Sequence, residues 1–183
     1  MIADSLFNIY NELAAITILR TIGVSATKIN NAIKKTKIVE TRISEEEING
    51  KRVITHLSKG QNPVAASRVF DYVQSEPGNK AVILIIDDCD DAKNSSENLT
   101  WLYDADFELL NKDDIKQIII GGVRANDYYL RLLYAGVPEE KLIKVVNELE
   151  TTKFIEKEID TIFILHDIYK YDEALKLKEY IKG

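Results

Sequence analysis

Four aspartates follow the most apolar run of the sequence. Ala81–Ile86 contains only Ala, Val, Ile and Leu, and Asp87, Asp88, Asp90 and Asp91 come directly after it. Such a run predicts a strand that is buried on both faces. Residues that follow a parallel strand lie at the sheet edge where ligands bind. Their carboxylates could bind Mg²⁺ through oxygen, and the alternative is a solvated loop.

An acidic and aromatic segment follows, from Trp101 to Glu108. It interleaves rings with acids: Trp101, Tyr103 and Phe107 with Asp104, Asp106 and Glu108. At helical spacing Asp104 and Glu108 share one face, while Trp101 could pack inward. Carboxylates close to large apolar rings indicate raised carboxyl pKa values or a protein interface.

A glycine pair and two arginines follow the next apolar run, Ile115–Ile120. Gly121-Gly122 would let the backbone approach an anion, although a tight turn between a strand and a helix is the simpler explanation. Arg124 and Arg131 are seven residues apart with Asp127 between them. Both arginines could therefore lie on one helix face and clamp a carboxylate or phosphate. A surface ion-pair ladder is the alternative.

The histidines and the cysteine offer less chemistry. His56 and His166 lack partners at metal-ligand spacing, so we predict structural roles and no metal site for them. Cys89 is the only cysteine, which excludes an internal disulfide and a cysteine-based zinc site in this chain. Neighbouring aspartates would raise the pKa of the Cys89 thiol, which makes it a poor nucleophile.

Length and composition narrow the class of protein. The 183 residues, 45% of them hydrophobic, suit one domain or one domain with a piece of another. Thirty acidic residues against 24 basic ones give a net charge of −6, which argues against a nucleic-acid partner. The sequence has no apolar run of about 18 residues and no secretory signal, so we predict a cytoplasmic protein without a membrane span.

The order of elements predicts the fold. Apolar spacing predicts a helix over residues 7–22, Ser25 caps a second helix, and Asn49-Gly50 predicts a β-hairpin. From residue 64 onward helical and apolar segments alternate, with a helix predicted over 151–157 and another at the end. This alternation predicts an α/β fold with a mostly parallel, Rossmann-like sheet flanked by helices, after an N-terminal helical pair.

Taken together, these segments resemble the C-terminal domain of the MurT-like Mur ligases. The resemblance rests on the residues from Asp87 to Glu108, Gly121–Asp127, Arg131–Gly136 and the turn Ser58-Lys59 with Asn62-Pro63. Asn8–Ala15 is similar to a helix that closes the central ATPase domain of Mur ligases. The resemblance therefore assigns residues 1–36 to the helical end of that domain and 37–183 to the C-terminal α/β domain.

The resemblance implies ATP-dependent amidation. In the family, the ligase phosphorylates the D-glutamate carboxyl of the lipid II stem peptide, and a GatD-type glutaminase supplies ammonia. It implies ATP and Mg²⁺ as cofactors, with Asn8 and Asn11 near adenine, Arg42 near the ribose or hinge, and Lys59 near the phosphates. The sequence lacks a phosphate loop, so we expect N-terminal Mur ligase domains as a further partner and no ATP hydrolysis by this chain alone.

One departure concerns the glutaminase. In the family, an aspartate completes a Cys-His-Asp triad with the glutaminase, and Asn98 stands at that position here. Asparagine can bind a histidine but cannot stabilise imidazolium by charge. Glu97 or Asp104 could replace it; otherwise this is a non-catalytic binding or scaffold domain. The predicted substrate or partner contacts are Asp88, Trp101, Asp106, Glu108, Arg124, Asp127 and Arg131.

A phospho-acceptor receiver domain is a third interpretation, since Asp87-Asp88 imitates the acidic pair that follows a strand in that fold. However, about 80 residues precede this pair, and His166-Asp167 ends the last strand where such a domain has a lysine.

Overall fold

The computed structural model describes residues 6–35, 42–87 and 98–183, and the chain divides into two compact units, Met1–Glu40 and Thr41–Gly183. The first unit contains helices α1 (Leu6–Thr21) and α2 (Ala26–Ile33). The Ser25 hydroxyl accepts a hydrogen bond from the Lys28 N–H and so caps α2. The predicted helical pair is confirmed.

A six-stranded sheet forms the second unit. Its strands are β1 (Ile43–Ile48), β2 (Lys51–Leu57), β3 (Lys80–Ile85), β4 (Ile115–Gly121), β5 (Leu142–Val145) and β6 (Thr161–His166). The order across the sheet is β1-β2-β6-β3-β4-β5, with β1 antiparallel to β2 and all other pairs parallel. Asn49 and Gly50 join β1 to β2 with positive φ, as a type I′ turn requires. The predicted α/β class is confirmed.

Helices cover both faces of this sheet. They are α3 (Pro63–Ser75), α4 (Trp101–Asp104), α5 (Ala125–Tyr134) and α6 (Tyr171–Lys182), with 3₁₀ turns at Phe107–Leu110, Glu139–Lys141, Glu148–Phe154 and Ile168–Lys170. Phe70, Phe107 and Tyr128 pack on one face of the sheet with α3, α4 and α5. Ala174 and Leu177 of α6 pack on the other face. Within the described ranges, no helix is long and apolar enough to cross a bilayer.

The helix predicted over residues 151–157 is only partly correct, because the helical segment begins three residues earlier and is a 3₁₀ helix. The structure has a 3₁₀ turn, Glu148–Phe154, which begins after Asn147, whose side chain accepts from the Leu149 N–H. Gln117 of β4 accounts for its end. Its side-chain amide donates to the Phe154 carbonyl at 3.0 Å and accepts from the Glu156 N–H at 2.9 Å. These backbone groups are therefore bound by a side chain and do not continue a helix.

The sheet topology marks one place on the molecule. β3 and β6 are neighbours, yet β3 leads to α4 on one face and β6 leads to α6 on the other. Neighbouring parallel strands whose connections diverge leave a crevice at their carboxyl ends. We call the loops that follow β2 to β6 the carboxyl edge. By this rule, the place expected for a ligand at this edge is next to Asp87 and Asp167, which follow β3 and β6.

Candidate functional site

Two buried carboxylates hold the loops of the carboxyl edge. Asp87 and Asp167 are 1% and 3% exposed. The Val123 N–H donates to Asp87 Oδ2 at 2.7 Å, and the Gly60 N–H donates to Asp167 Oδ2 at 2.6 Å. Asp167 Oδ1 also accepts from the Tyr169 N–H. The solvated loop considered for Asp87 is therefore wrong, because this carboxylate is buried where it joins two loops. Asp88, Cys89, Asp90 and Asp91 lie outside the described residues.

Asp87 explains why the second residue of the glycine pair, Gly122, must be a glycine. Gly122 has φ +113, and a Cβ placed on it would fall on Asp87 Oδ2, closer than any real contact allows. A carboxylate oxygen thus approaches the backbone in the tight turn between β4 and α5. In the structure this anion is the protein's own carboxylate.

Lys59 lies on a strained loop at the same edge. Lys59 and Gln61 have φ of 47° and 60°, a left-handed conformation that is uncommon for residues other than glycine. The Ser58 N–H donates to the His166 carbonyl, and Gly60 is held by Asp167. These bonds fix the loop on both sides of Lys59, whose side chain is exposed. An exposed ammonium on a fixed loop can meet an anionic ligand.

An ion pair and an apolar rim complete the carboxyl edge. Lys170 Nζ bonds Glu148 Oε1 at 2.5 Å. Burial alone would lower the pKa of Lys170, but the hydrogen bond to Glu148 and the charges of Glu148, Asp87 and Glu173 outweigh it and raise this pKa. Apolar side chains are exposed on the surrounding loops: Val64, Val123, Val146, Ile168 and Tyr169. Such an apolar rim around charged groups is typical of a surface that another domain or a ligand covers.

Both histidines are packed inside the fold. The His56 ring lies 5.8 Å from the ring of Tyr72, and the His166 ring lies 5.6 Å from that of Tyr171. Burial is the main cause that lowers the pKa of each imidazole. Among the residues that the structure describes, no group of three or more His, Cys, Asp or Glu side chains could hold a metal ion.

The second candidate site is the segment of residues 98–110, which we call the acidic segment. Trp101 is only 8% exposed and its ring packs against Tyr128 of α5. Helix α4 ends at Asp104 because Ala105 is extended, with φ −91 and ψ 142. The prediction that Asp104 and Glu108 share a helix face is therefore wrong. Trp101 packs inward, as considered from sequence for this residue.

Inward and outward residues alternate along this segment. Leu102, Ala105, Phe107 and Leu110 are buried, whereas Tyr103, Asp104, Asp106 and Glu108 are exposed. Tyr103 is 59% exposed and is the ring that the segment presents to solvent. The outer face of the segment therefore carries one aromatic ring among carboxylates, and tyrosine is a residue type that is enriched in protein interfaces.

Arg131 holds this segment from beneath. It is 5% exposed, and its Nε donates to the Leu102 carbonyl at 2.7 Å. One terminal nitrogen donates to the Ala105 carbonyl at 2.8 Å and to Glu108 Oε2 at 2.9 Å. The hydrogen bond from Arg131 is the main cause that lowers the pKa of Glu108. Arg131 is thus bound within the fold, in place of the anion clamp and the surface ladder considered from sequence.

The remaining predicted residues belong to several different elements of the chain. Arg124 is half-buried directly before α5, and Asp127 is half-buried in its first turn. Arg42 is exposed before β1, and its carbonyl accepts from the Leu57 N–H at 2.8 Å. In the first unit, Asn11 is exposed on α1, which also contains Asn8. Glu97 lies outside the described residues.

Sequence reasoning missed Asp167, Glu148 and Lys170 as members of the carboxyl edge. Asp167 could have been found, because it follows a predicted strand in the same way as Asp87. Glu148 and Lys170 belong to the ends of two different elements, and nothing in their sequence spacing indicates that they pair.

Comparison with known proteins gives a family. The profile of the family described as MurT ligase C-terminal matches residues 57–170, more than half of the chain. The lipid II isoglutaminyl synthase (glutamine-hydrolyzing) subunit MurT of Streptococcus pneumoniae is 33% identical over 155 residues, which are 84% of this chain and 33% of that subunit. The subunit of the same name from Staphylococcus aureus (strain COL) is 32% identical over the same length. The chain spans about a third of the length of these relatives.

Solved structures show the same fold at low sequence identity. MurC of Thermotoga maritima, a UDP-N-acetylmuramate-alanine ligase, matches 97% of this chain with a TM-score of 0.66 and 14% identity, over 39% of its own length. MurF of Acinetobacter baumannii matches 96% of this chain with a TM-score of 0.66 and 16% identity, over 37% of its length. These likenesses concern the fold alone.

Proposed function

The chain belongs to the MurT ligase C-terminal family, and we propose that it serves as the C-terminal part of a MurT-like ligase in the cytoplasm. With a GatD-type glutaminase, this ligase amidates the D-glutamate of the lipid II stem peptide in peptidoglycan synthesis. The relatives named for a glutamine-hydrolyzing lipid II isoglutaminyl synthase support this proposal. Residues 1–36 are then the helical end of the central domain, and 37–183 are the C-terminal domain.

The observation that carries the docking proposal is the acidic segment. Its carboxylates and Tyr103 face outward, while Arg131 holds the backbone beneath them. A surface whose geometry is fixed before binding loses less conformational freedom when a partner docks. We propose that the glutaminase binds here, with Asp106 and Glu108 at the contact. Trp101 then supports the contact from inside, because it is buried.

The carboxyl edge is proposed to face ATP and the rest of the ligase. Lys59 has the charge and exposure to meet phosphates, and the apolar rim offers a surface for another domain. Asn8, Asn11 and Arg42 are proposed to lie near the nucleoside. When bound, ATP with Mg²⁺ supplies the phosphoryl group that activates the substrate carboxyl. Asp88, Arg124 and Asp127 are proposed to contact the muramyl peptide or a partner domain.

Asp104 is proposed to supply the carboxylate that the glutaminase histidine needs. It is exposed at the end of α4, whereas Glu108 is bound to Arg131. Asn98 has no charge with which to stabilise an imidazolium ion. Glu97 is the other acid near this position in sequence. A carboxylate beside the histidine would orient the ring and stabilise its protonated form.

Co-expression with a GatD-type glutaminase tests this function. We expect a complex in gel filtration that hydrolyses glutamine faster than the isolated glutaminase. Asp104→Asn should lower this hydrolysis at least tenfold and leave the complex intact, and Asp113→Asn, which removes an exposed charge outside the acidic segment, is the matched control. Absence of a complex, or equal rates for Asp104→Asn and the unaltered chain, would contradict the respective part of the proposal.

A non-catalytic binding or scaffold domain is the second candidate, and Asn98 favours it because the residue lacks a charge. In that case the complex forms, but hydrolysis stays at the rate of the isolated glutaminase. Calorimetry with ATP and with a UDP-muramyl peptide would then show whether the domain holds either ligand.

A further inference from the structure

The turn between β1 and β2 holds the end of helix α6. The side-chain nitrogen of Asn49 donates to the Ile181 carbonyl at 2.7 Å and to the Lys182 carbonyl at 3.1 Å. Both carbonyls belong to the last turn of α6, where a helix has no backbone donors left for them. The amide of Asn49 therefore caps α6 from a hairpin that lies more than 130 residues earlier in the chain.

The residue after Asn49 makes this amide chemically reactive. Asn49-Gly50 is the only Asn-Gly pair in the sequence. Asparagine before glycine loses its side-chain nitrogen more readily than other asparagines, because glycine has no side chain to shield its backbone nitrogen. Both residues are exposed, and nothing lies within 4 Å of the place that a Cβ on Gly50 would take. Neither the glycine nor its surroundings therefore block the reaction.

The reaction is deamidation, and it needs only water. The Gly50 nitrogen attacks Cγ of Asn49 and forms a cyclic imide. The bond from Cγ to the side-chain nitrogen breaks, and this nitrogen leaves as ammonia together with the proton of the Gly50 N–H. Water then opens the ring at either of its carbonyls, which leaves aspartate or isoaspartate at position 49. The net change is the exchange of ammonia for water.

The bonds to α6 oppose this reaction in the folded protein. The nitrogen that must leave is the atom that donates to Ile181 and Lys182. Hydrogen bonds that are present in the starting state and lost on the way to the imide raise the barrier. They also hold the side chain in one rotamer, so it cannot turn towards the Gly50 nitrogen. The reaction therefore requires that the last turn of α6 opens, and helix ends open more easily than helix interiors.

We propose that Asn49 is a deamidation site that the end of α6 protects, and that its deamidation detaches this end from the hairpin. The product places a carboxylate against two carbonyl oxygens, and all of these groups only accept hydrogen bonds. The new negative charge also stands at the C-terminal end of a helix, where the helix dipole disfavours it. Lys178 of α6 remains bound to Glu46 of β1, so the change is confined to the last turn of α6.

Ile181→Gly in the full chain tests the protection. Glycine loosens the last turn of α6 and leaves Asn49 and Gly50 unchanged. After incubation at neutral pH, peptide mass spectrometry measures the conversion at position 49, and we expect it to be at least fivefold faster than in the unaltered chain. Leu130→Gly is the matched control. It places a glycine in α5, on the opposite face of the sheet, and should convert at the rate of the unaltered chain.

Gly50→Ala tests the chemistry at this peptide bond. Its methyl group shields the backbone nitrogen that must attack, while the amide of Asn49 keeps its acceptors on α6. We expect the conversion at position 49 to be at least fivefold slower than in the unaltered chain.

Asn49→Asp tests the consequence, because it is one of the two products. We expect hydrogen exchange of the amides in residues 179–182 to become at least threefold faster. Asn126→Asp is the control for charge, since it adds a carboxylate in the first turn of α5, where the helix dipole favours it and Lys144 can bind it. This control should leave the exchange at the end of α6 unchanged.

Each part of the proposal has an outcome that contradicts it. Equal conversion in Ile181→Gly and the unaltered chain would overturn the protection by α6. Unchanged exchange at the end of α6 in Asn49→Asp would overturn the detachment. If position 49 does not convert even in Ile181→Gly, Asn49 is not a deamidation site. None of these measurements requires a glutaminase, so they stand independently of the proposed function.

Discussion

Single charged residues in this protein bind backbone groups of other segments and so hold loops in place. Asp87 accepts from Val123, Asp167 accepts from Gly60 and Tyr169, and Arg131 donates to two carbonyls. A charge that is held by several such bonds can be buried at an acceptable cost. These residues therefore decide how the loops around both candidate sites are held.

The contact between Gly122 and Asp87 gives a prediction for stability. In Gly122→Ala, the new Cβ would overlap Asp87 Oδ2 at a backbone φ of +113, so both steric overlap and backbone strain oppose folding. We expect the free energy of unfolding to fall by about 3 kcal/mol. Urea titration measures it.

Gly50→Ala is the matched control for this prediction. Gly50 also has a positive φ, but a Cβ there would meet nothing within 4 Å. We expect a loss of only about 1 kcal/mol from backbone strain. Equal losses for the two variants would show that Asp87 moves aside without cost.

The buried histidines predict a loss of stability at mildly acidic pH. Burial lowers the pKa of His56 and His166 from the ordinary value of 6.5. As the pH falls, the histidines of the unfolded chain therefore take up protons before those of the folded chain do. Their contribution to stability is complete above pH 6.5 and is lost as the pH falls below that value. We expect urea titrations to give a lower free energy of unfolding at about pH 5.5 than at about pH 7.5.

His56→Gln should reduce this pH dependence, because it removes one of the two groups. Two exposed carboxylates, those of Glu46 and Glu108, do not contribute in this pH range. The pKa values of Glu46 and Glu108 are lowered from 4.5, so their contribution is lost only below that pH. A stability that is unchanged or higher at the acidic pH would contradict the prediction.

At the scale of one element, the acidic segment depends on a residue from another helix. Arg131→Met would leave the carbonyls of Leu102 and Ala105 without their donor inside the fold. We expect unfolding to become easier by about 3 kcal/mol. In this variant, hydrogen exchange should become faster for the amides of residues 101–110, and it should change less for those of β3 and β6.

Glu108→Gln separates the ion pair from the backbone bonds. The Glu108 side chain is 58% exposed, so its pairing with Arg131 is screened by water. We expect this variant to cost less than about 1 kcal/mol. If both variants had the same effect, the ion pair and not the carbonyl bonds would hold the segment.

Elements were predictable from sequence where local signals decide them. Ser25 and the Asn49-Gly50 pair mark a helix start and a hairpin, and the structure has both. The helix predicted over 151–157 ends earlier, at Phe154, where Gln117, more than 30 residues away, binds the backbone. The face shared by Asp104 and Glu108 failed because α4 is only one turn long. The spacing of apolar residues shows neither the distant contact of Gln117 nor the short length of α4.

At the scale of the whole molecule, the two units should be separable. Residues 41–183 contain a sheet with helices on both faces, and α1 exposes the apolar side chains of Tyr10, Leu13, Ile18 and Ile22. We expect deletion of residues 1–40 to leave one cooperative thermal transition with a midpoint within about 5 °C of the original. Light scattering should also show less self-association. Loss of the cooperative transition would contradict the division.

The sheet order and the candidate sites differ in how far sequence could predict them. Alternation of helices and strands predicted a mostly parallel sheet, but not that β6 lies between β2 and β3. That insertion brings Asp167 beside the loop of Gly60. The interleaving of rings and acids identified the acidic segment from sequence, yet Arg131 as its support became visible only with coordinates. The reason is that residue spacing does not specify the direction of a side chain.

The close approach of Asp87 to Gly122 links the evolution of two positions that are distant in the chain. A mutation at residue 122 to anything larger than glycine would collide with the carboxylate, so such a change should be inherited only with a shorter or apolar residue at 87. In many descendants of this sequence, the residues at positions 87 and 122 should therefore change together. That correlation could be searched for in genomes without purifying a single protein.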